Sequence, residues 1–370
     1  MPVRSGFRAS LGVLTVLTVL AVSLTAVPAT ATDKYAGEFL RVGAGARAVG
    51  MGGAFLAVAD DATAGYWNPA GLNYLQKKSV LYMHSVEQHS QVQYDFIGLA
   101  LPQGGEAGER SAIGVSFVRL GVDDIAVTPT IEELRPGVDF EDGDGNPGTN
   151  LPTEGNNRWD PGERLFLSEF ELKSSNDFAA LVSYARDLSP KVTIGGSIKA
   201  LYRTLVGHDA WGAGLDVGMV YNLKRNASLA FMARDLTTTF MSWDTGTRES
   251  IAPSASVGGQ YTFAFSPNHA LTLAGDIRMD FESRRIDSNF GGDGIAGELH
   301  GGAEYWFHNA LGLRTGVSGR DLTFGVGFRR KSVGFDYAAV FNRFFETDGL
   351  SFPDDEDQGV AHRLSGSFDW

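Results

Sequence analysis

The chain has 370 residues, 47 of them glycine and none cysteine, with 43% apolar, 11% aromatic and 20% charged residues and a formal net charge of −13. That aromatic content is too high for a disordered chain. The lack of Cys excludes disulfide frameworks, thiolate metal sites and Cys nucleophiles, and the acidic balance argues against a nucleic-acid partner.

Residues 1–31 read as a cleaved signal peptide. Arg4 and Arg8 form a basic start, Leu11 to Val27 is apolar with small residues interspersed, and Ala29-Thr30-Ala31 is a small-x-small cleavage site. The apolar run is short for a spanning helix, which needs about 20 residues, and nothing after Ala31 is long and apolar enough to be one. An exported chain of this kind is periplasmic, secreted or an outer-membrane β-barrel.

Residues 32–78 are dominated by small side chains, which let backbone pack close to backbone. Asp60-Asp61-Ala62-Thr63 can cap a short helix and Asn68-Pro69 marks a turn. Gly43-x-Gly45-x-x-Ala48 fits a loose dinucleotide fingerprint, but no βαβ unit surrounds it, and no Gly-Lys-Ser/Thr follows to make a P-loop.

From residue 79 the pattern alternates with period two, the mark of strands. Leu322, Phe324, Val326 and Phe328 alternate with Thr323, Gly325, Gly327 and Arg329, for example. Fourteen segments follow, approximately 79–86, 91–101, 111–120, 176–187, 191–204, 211–223, 226–235, 254–264, 269–280, 298–307, 310–318, 321–329, 332–342 and 360–370. Many reach the 9–11 residues that a tilted membrane strand needs, against about 5–6 for globular strands.

The connections test this count. In an even-stranded barrel with both ends in the periplasm, even-numbered connections are short periplasmic turns and odd-numbered ones are external loops. Leu188-Ser189-Pro190, Leu223-Lys224-Arg225, Phe265-Ser266-Pro267-Asn268, His308-Asn309 and Arg330-Lys331 are all even and short, and 102–110 is the longest even one. The long connections, 121–175, 236–253, 281–297 and 343–359, are all odd. One missed strand would break the parity. The fold class expected is therefore all-β: a transmembrane antiparallel β-barrel of about 14 strands over 79–370, with residues 32–78 as a separate N-terminal segment and 121–175 as a long external loop. Its surroundings would be outer-membrane lipid.

The run Gly43 to Leu72, GAGARAVGMGGAFLAVADDATAGYWNPAGL, resembles the N-terminal signature of the PorV/PorQ family, a branch of the FadL-type outer-membrane barrels. The resemblance implies that residues 32–78 form a hatch plugging the barrel, with Asn68, Pro69, Ala70 and Gly71 as its turn. It also implies that the C-terminal strand is the signal read by the outer-membrane assembly machinery, with Phe368 and Trp370 in the expected places. Physically, a barrel of this size has a wide lumen that something must fill unless it is an open pore.

In the loops, Asp142, Asp144 and Asn146 match the first three ligand positions of an EF-hand. Pro147 and Thr153 stand where Gly and Glu belong. With Asp160 and Glu163 they form a candidate calcium site in the 139–163 loop, or simply a solvated acidic loop. Leu236, Phe240, Met241 and Trp243 could admit a hydrophobic ligand, or belong to an interfacial aromatic girdle with Tyr305, Trp306, Phe307, Phe341, Phe344 and Phe345. Lys199, Arg203, Asp216, Asp276, Arg278, Asp280, Glu304, Arg329 and Asp336 fall on the lumen side, either as a salt-bridge network or as a polar path. No Gly-x-Ser-x-Gly and no His-Glu-x-x-His is present, so no enzyme and no cofactor is expected beyond that calcium. Two functions remain: a PorV-like accessory in type IX protein secretion that receives exported cargo proteins, and a FadL-like channel for long-chain fatty acids or other hydrophobic small molecules.

Overall fold

A computed structural model describes residues 37–87, 92–105, 109–127, 171–282, 288–292, 294–342, 345–346, 349–350 and 360–370. The predicted signal peptide and the calcium candidates Asp142, Asp144, Asn146, Asp160 and Glu163 lie outside the described residues.

The wall begins with β1 Ser79–Glu87, β2 Val92–Pro102, β3 Ser111–Val127, β4 Glu171–Ser189, β5 Val192–Leu205, β6 His208–Lys224 and β7 Ala227–Arg234. A hairpin, β8 Thr239–Trp243 and β9 Arg248–Ile251, follows. Then come β10 Ser254–Ser266, β11 His269–Asp280, the short β12 Phe290–Gly292, β13 Ile295–Phe307, β14 Leu311–Ser318, β15 Asp321–Arg330 and β16 Val333–Phe341. The pair β17 Phe345–Glu346 and β18 Gly349–Leu350 precedes the last strand, β19 Val360–Asp369.

Fourteen of these strands form a closed antiparallel barrel, as the sequence pattern predicts. Each pairs with its neighbours, β7 passing to β10 and β11 to β13. Closure comes from β1, which pairs with β2 on one side and with β19 on the other, Ser79 lying opposite both Ala100 and Asp369. The Trp370 N–H donates to the Lys78 carbonyl at 2.9 Å, so the C-terminus ends beside the start of β1. The short even turns lie at that same end.

The sequence pattern sets the predicted strands but not all of the long connections. All four carry extra pairing, the last through β17 and β18. The β8–β9 hairpin is bonded to the outer half of β6, where Trp211 lies opposite Ser242. β12 pairs with β13. β3 and β4 extend as a ladder well past the predicted edges, across a register shift between Val122 and Ile125. Short or charged strands add little to a period-two signal, and pairing to a neighbour supplies what local preference does not. The wall is consequently lopsided: β3, β4 and β6 have 17, 19 and 17 residues, β14, β15 and β16 only 8, 10 and 9.

Alternation assigns the two faces. Ile198, Leu215, Leu313, Phe335 and Leu364 are exposed on the outside, while their chain neighbours Lys199, Asp216, Arg314, Asp336 and Arg363 are buried inside. An apolar belt running right around the wall far exceeds the patches that soluble monomers expose, and it fits a hydrocarbon surround. The core therefore lies in the lumen, between the wall and residues 37–78.

Candidate functional site in the barrel lumen

Segment 37–78 enters the lumen and is held there from every side. It runs as a 3-10 turn Glu38–Arg41, a short helix Ala46–Gly50, tight turns, a second short helix Ala64–Trp67 and a 3-10 helix Pro69–Tyr74. The predicted cap does not form: Thr63 at the N-cap makes no side-chain capping bond, and Asp61 instead accepts the Thr63 N–H at 2.9 Å in the turn before the helix.

Two seams fix it. On one side lies the Asn-Pro-Ala-Gly turn. Asn68 is completely buried. Its amide donates to the Leu56 carbonyl at 3.1 Å, and its carbonyl oxygen accepts from Ala70 N at 3.1 Å. The turn lies on bare backbone of the wall. A Cβ at Gly218 would sit 2.1 Å from the Asn68 Oδ1, and one at Gly195 2.4 Å from Ala70 N. A few residues on, Asn73 donates to the Asp187 carboxylate at 2.6 Å. Tyr66, Phe96, Leu72 and Met83 fill the space between with an apolar cluster.

On the opposite side the first helix and the turn after it meet β13, β14 and β15. A Cβ at Gly302 would approach the Met51 carbonyl to 2.2 Å, and one at Gly316 would approach Gly52 N to 2.3 Å. Arg47 spans this seam. It makes two bonds of 2.8 Å to the two oxygens of Glu304, and Glu304 also accepts from Arg314 Nε at 2.7 Å. Arg314 continues to Asp336 at 2.7 Å, and its guanidinium faces the Trp306 ring 5.2 Å from the centroid. Burial works against the charge on Arg47, but Asp60, Glu304 and Asp61 hold its pKa well above the ordinary value.

The third side is thinner. There Leu56 and Ala57 face β7, β10 and β11, with Arg41 bonded to Asp280 and Arg234 to the Tyr66 carbonyl nearby. The Asp276 carboxylate accepts the Leu56 N–H at 2.9 Å, and Ser228 donates to the Ala57 carbonyl at 3.3 Å. The other Asp276 oxygen has no hydrogen-bond partner among the described residues and lies against Gly258.

Segment 37–78 thus divides the lumen into two chambers. The outer one, of about 360 Å³, is lined by Val49, Leu56, Trp67, Arg234, Arg278 and His300 among others. The inner one, of about 530 Å³, opens at the end of the short turns, with Arg47, Asp60, Asp61, Gln260, Thr262 and Arg329 in its wall beside Val58, Leu75 and Leu81. Val49 faces the first chamber and Arg47 the second, so a single turn of helix separates them.

The lumen-side charges expected from sequence do face inward. Lys199 pairs with Asp216 at 2.9 Å and Asp235 at 2.8 Å, and Arg203 pairs with Asp177. Sequence reasoning passed over Arg41, Arg47, Arg234 and Arg314. Arg314 was legible, because it sits at an inward period-two position opposite Glu304. The partners of Arg41, and Glu304 as the wall partner of Arg47, lie more than 200 residues away, beyond any local signal.

The four candidate admission residues do not converge. Met241 is buried against Gly212, Phe240 is exposed on the outer surface, and Leu236 and Trp243 are half-buried on either side of them. Trp306 faces inward beneath Arg314 and Arg329 rather than joining a girdle. Phe368 and Trp370 are exposed and stacked, their centroids 6.0 Å apart.

No family model and no curated protein matches this chain. Solved structures do. The toluene transporter TodX of P. putida aligns with a TM-score of 0.56 at 13% identity, over 89% of this chain and 99% of its own. The Ralstonia pickettii toluene transporter TbuX gives 0.50 at 13%, over 89% and 98%. CymD, a monoaromatic hydrocarbon channel, gives 0.52 at 14%, over 89% and 98%. At such identities the likeness shows a shared architecture, and the fold of this chain is an outer-membrane β-barrel.

Proposed function

We propose that the protein is a channel of the bacterial outer membrane that passes small, largely apolar molecules, with residues 37–78 as its gate. The observation that carries this reading is the division of one closed lumen into two chambers by a thin partition of small residues. The likeness to TodX, TbuX and CymD supports it, since those are transporters and channels for hydrocarbons. Most of the described inward charges are paired, stacked on a ring or turned to a backbone group.

The PorV/PorQ-like resemblance of residues 43–72 favours a second reading, an accessory role in protein secretion. The two differ in what travels with the protein. Gentle purification from outer membranes followed by mass spectrometry should find small apolar molecules and no exported proteins. Co-purifying exported proteins or a secretion pore, without small molecules, would overturn the channel reading in favour of the second.

A further inference from the structure

Three guanidinium groups meet at the outer chamber. Arg41 reaches it from the gate, Arg234 from the end of β7 and Arg278 from β11. Arg234 and Arg278 flank β10, lying opposite Ser254 and Ser256. Arg278 is within electrostatic reach of both other cations.

Their partners are unevenly shared. Asp280 is bonded by Arg41 at 2.8 Å and by Arg278 at 3.0 Å, and Glu298 by Arg41 at 3.0 Å. Burial opposes the Arg41 charge, but these two carboxylates hold its pKa above the ordinary value. Arg234 makes no ion pair among the described residues. It donates to the Tyr66 carbonyl at 3.1 Å, and its guanidinium lies 5.4 Å from the centre of the Tyr66 ring. Other charges line the chamber too. Asp276 is in the field of Arg234 but is turned to the Leu56 N–H. His300 faces the Gly52 carbonyl and Ser318, Arg363 donates to the Val42 carbonyl, and Glu38, Arg320 and Asp321 stand further along the lining. Among the described residues the remaining Arg234 donors have no anionic partner, and Arg278 bonds Asp280 alone, with Glu298 in electrostatic reach. A guanidinium fork that faces a cavity with free donors suits a carboxylate. Beside it the lining turns apolar: Leu40, Val42, Leu56, Trp67 and Val340.

Taking the channel reading as its basis, we infer that the outer chamber selects a compact organic carboxylate, with its anionic group between Arg234 and Arg278 and its apolar body against Trp67, Leu56 and Val340. The cargo then differs from an uncharged hydrocarbon by one ionised group. A cavity of about 360 Å³ falls at the lower end for small-molecule sites, which suits a single aromatic ring with its carboxylate.

The test uses the full-length protein in detergent and in liposomes, with benzoate and its neutral counterpart benzyl alcohol as probes. Calorimetry should show benzoate binding at least tenfold more tightly than benzyl alcohol, and the preference should vanish in Arg234→Gln and in Arg278→Gln. Asp276 and Asp280 stay in place in both variants, and retention of the compact, heat-modifiable band on a gel confirms the barrel. Protein-dependent liposome uptake, after subtracting the passive uptake of protein-free liposomes for each probe, then separates the two ideas. Benzoate uptake that falls about tenfold in the variants supports the inference. Equal uptake of both probes, or uptake of benzyl alcohol alone, overturns it and leaves the channel reading standing. Uptake of neither, with the gate intact or deleted, overturns both.

Discussion

Glu304 shows how a single side chain can hold the lumen together. It is buried and takes three bonds from two arginines, Arg47 on the gate and Arg314 on the wall. Removing it strips these bonds from two buried arginines, but Arg47 keeps Asp60 and Asp61 and Arg314 keeps Asp336, so the cost stays below the about 3–5 kcal/mol of a buried charge left unpaired. Glu304→Ala should therefore lower the temperature at which the barrel unfolds, read as the loss of its heat-modifiable band; an unchanged temperature would show that water replaces the carboxylate. At Gly218 the effect is steric. A methyl group there would occupy the place of the Asn68 amide oxygen, and that amide is buried and held by its bonds to Leu56 and Ala70. Gly218→Ala should displace the Asn-Pro-Ala-Gly turn and raise the conductance of single barrels in a planar bilayer, whereas Gly104→Ala, at a position with open space around it, should not. Gly104 has a positive φ of 76°, so the control carries local strain but no contact with the gate.

At the level of elements, the partition is weakest where Leu56 and Ala57 face β7, β10 and β11. Leu56 and Ala57 themselves are tied there by two hydrogen bonds, with Arg41 and Arg234 bonded nearby, against glycine-backed seams on the other sides. Asp276→Ala combined with Ser228→Ala should raise conductance in steps that open and close, because the two seams still retain the rest of the gate. A steady, fully open current would mean that the seams fail as well. Much of this level was legible in sequence: strand edges, turn parity and the small-residue character of 37–78 all follow from period two and from loop lengths. The β8–β9 hairpin was not, since its five-residue and four-residue strands carry too little alternation. The gate's partners were not legible either. A glycine such as Gly316 reads as a weak strand position until the backbone it receives is known.

For the molecule as a whole, the channel reading makes residues 37–78 the only described obstruction between the two chambers. Deleting Lys34 to Leu72 should convert a closed barrel into a conducting one in a planar bilayer. Unchanged conductance would show that the lumen is blocked elsewhere. The wall that remains is itself uneven, with β3, β4 and β6 roughly twice as long as β14 to β16. At about 3.4 Å per residue, the longer strands stand well beyond a typical hydrocarbon thickness and shelter one side of the outer mouth.

The gate also touches both ends of the wall's own sequence. Met83 on β1 accepts from the Gly45 N–H at 3.1 Å, and Ser365 on β19 accepts from the Ala46 N–H at 3.2 Å. These are the first and last staves, and they meet at the closing joint. Synthesis delivers the gate before any stave, yet its final contact exists only once the last stave has arrived. It is thus placed to serve as a mandrel: a barrel that closes one strand short or out of register would find no seat for residues 45 and 46. The part that blocks the finished pore is in the right place to check its circumference while it is being made.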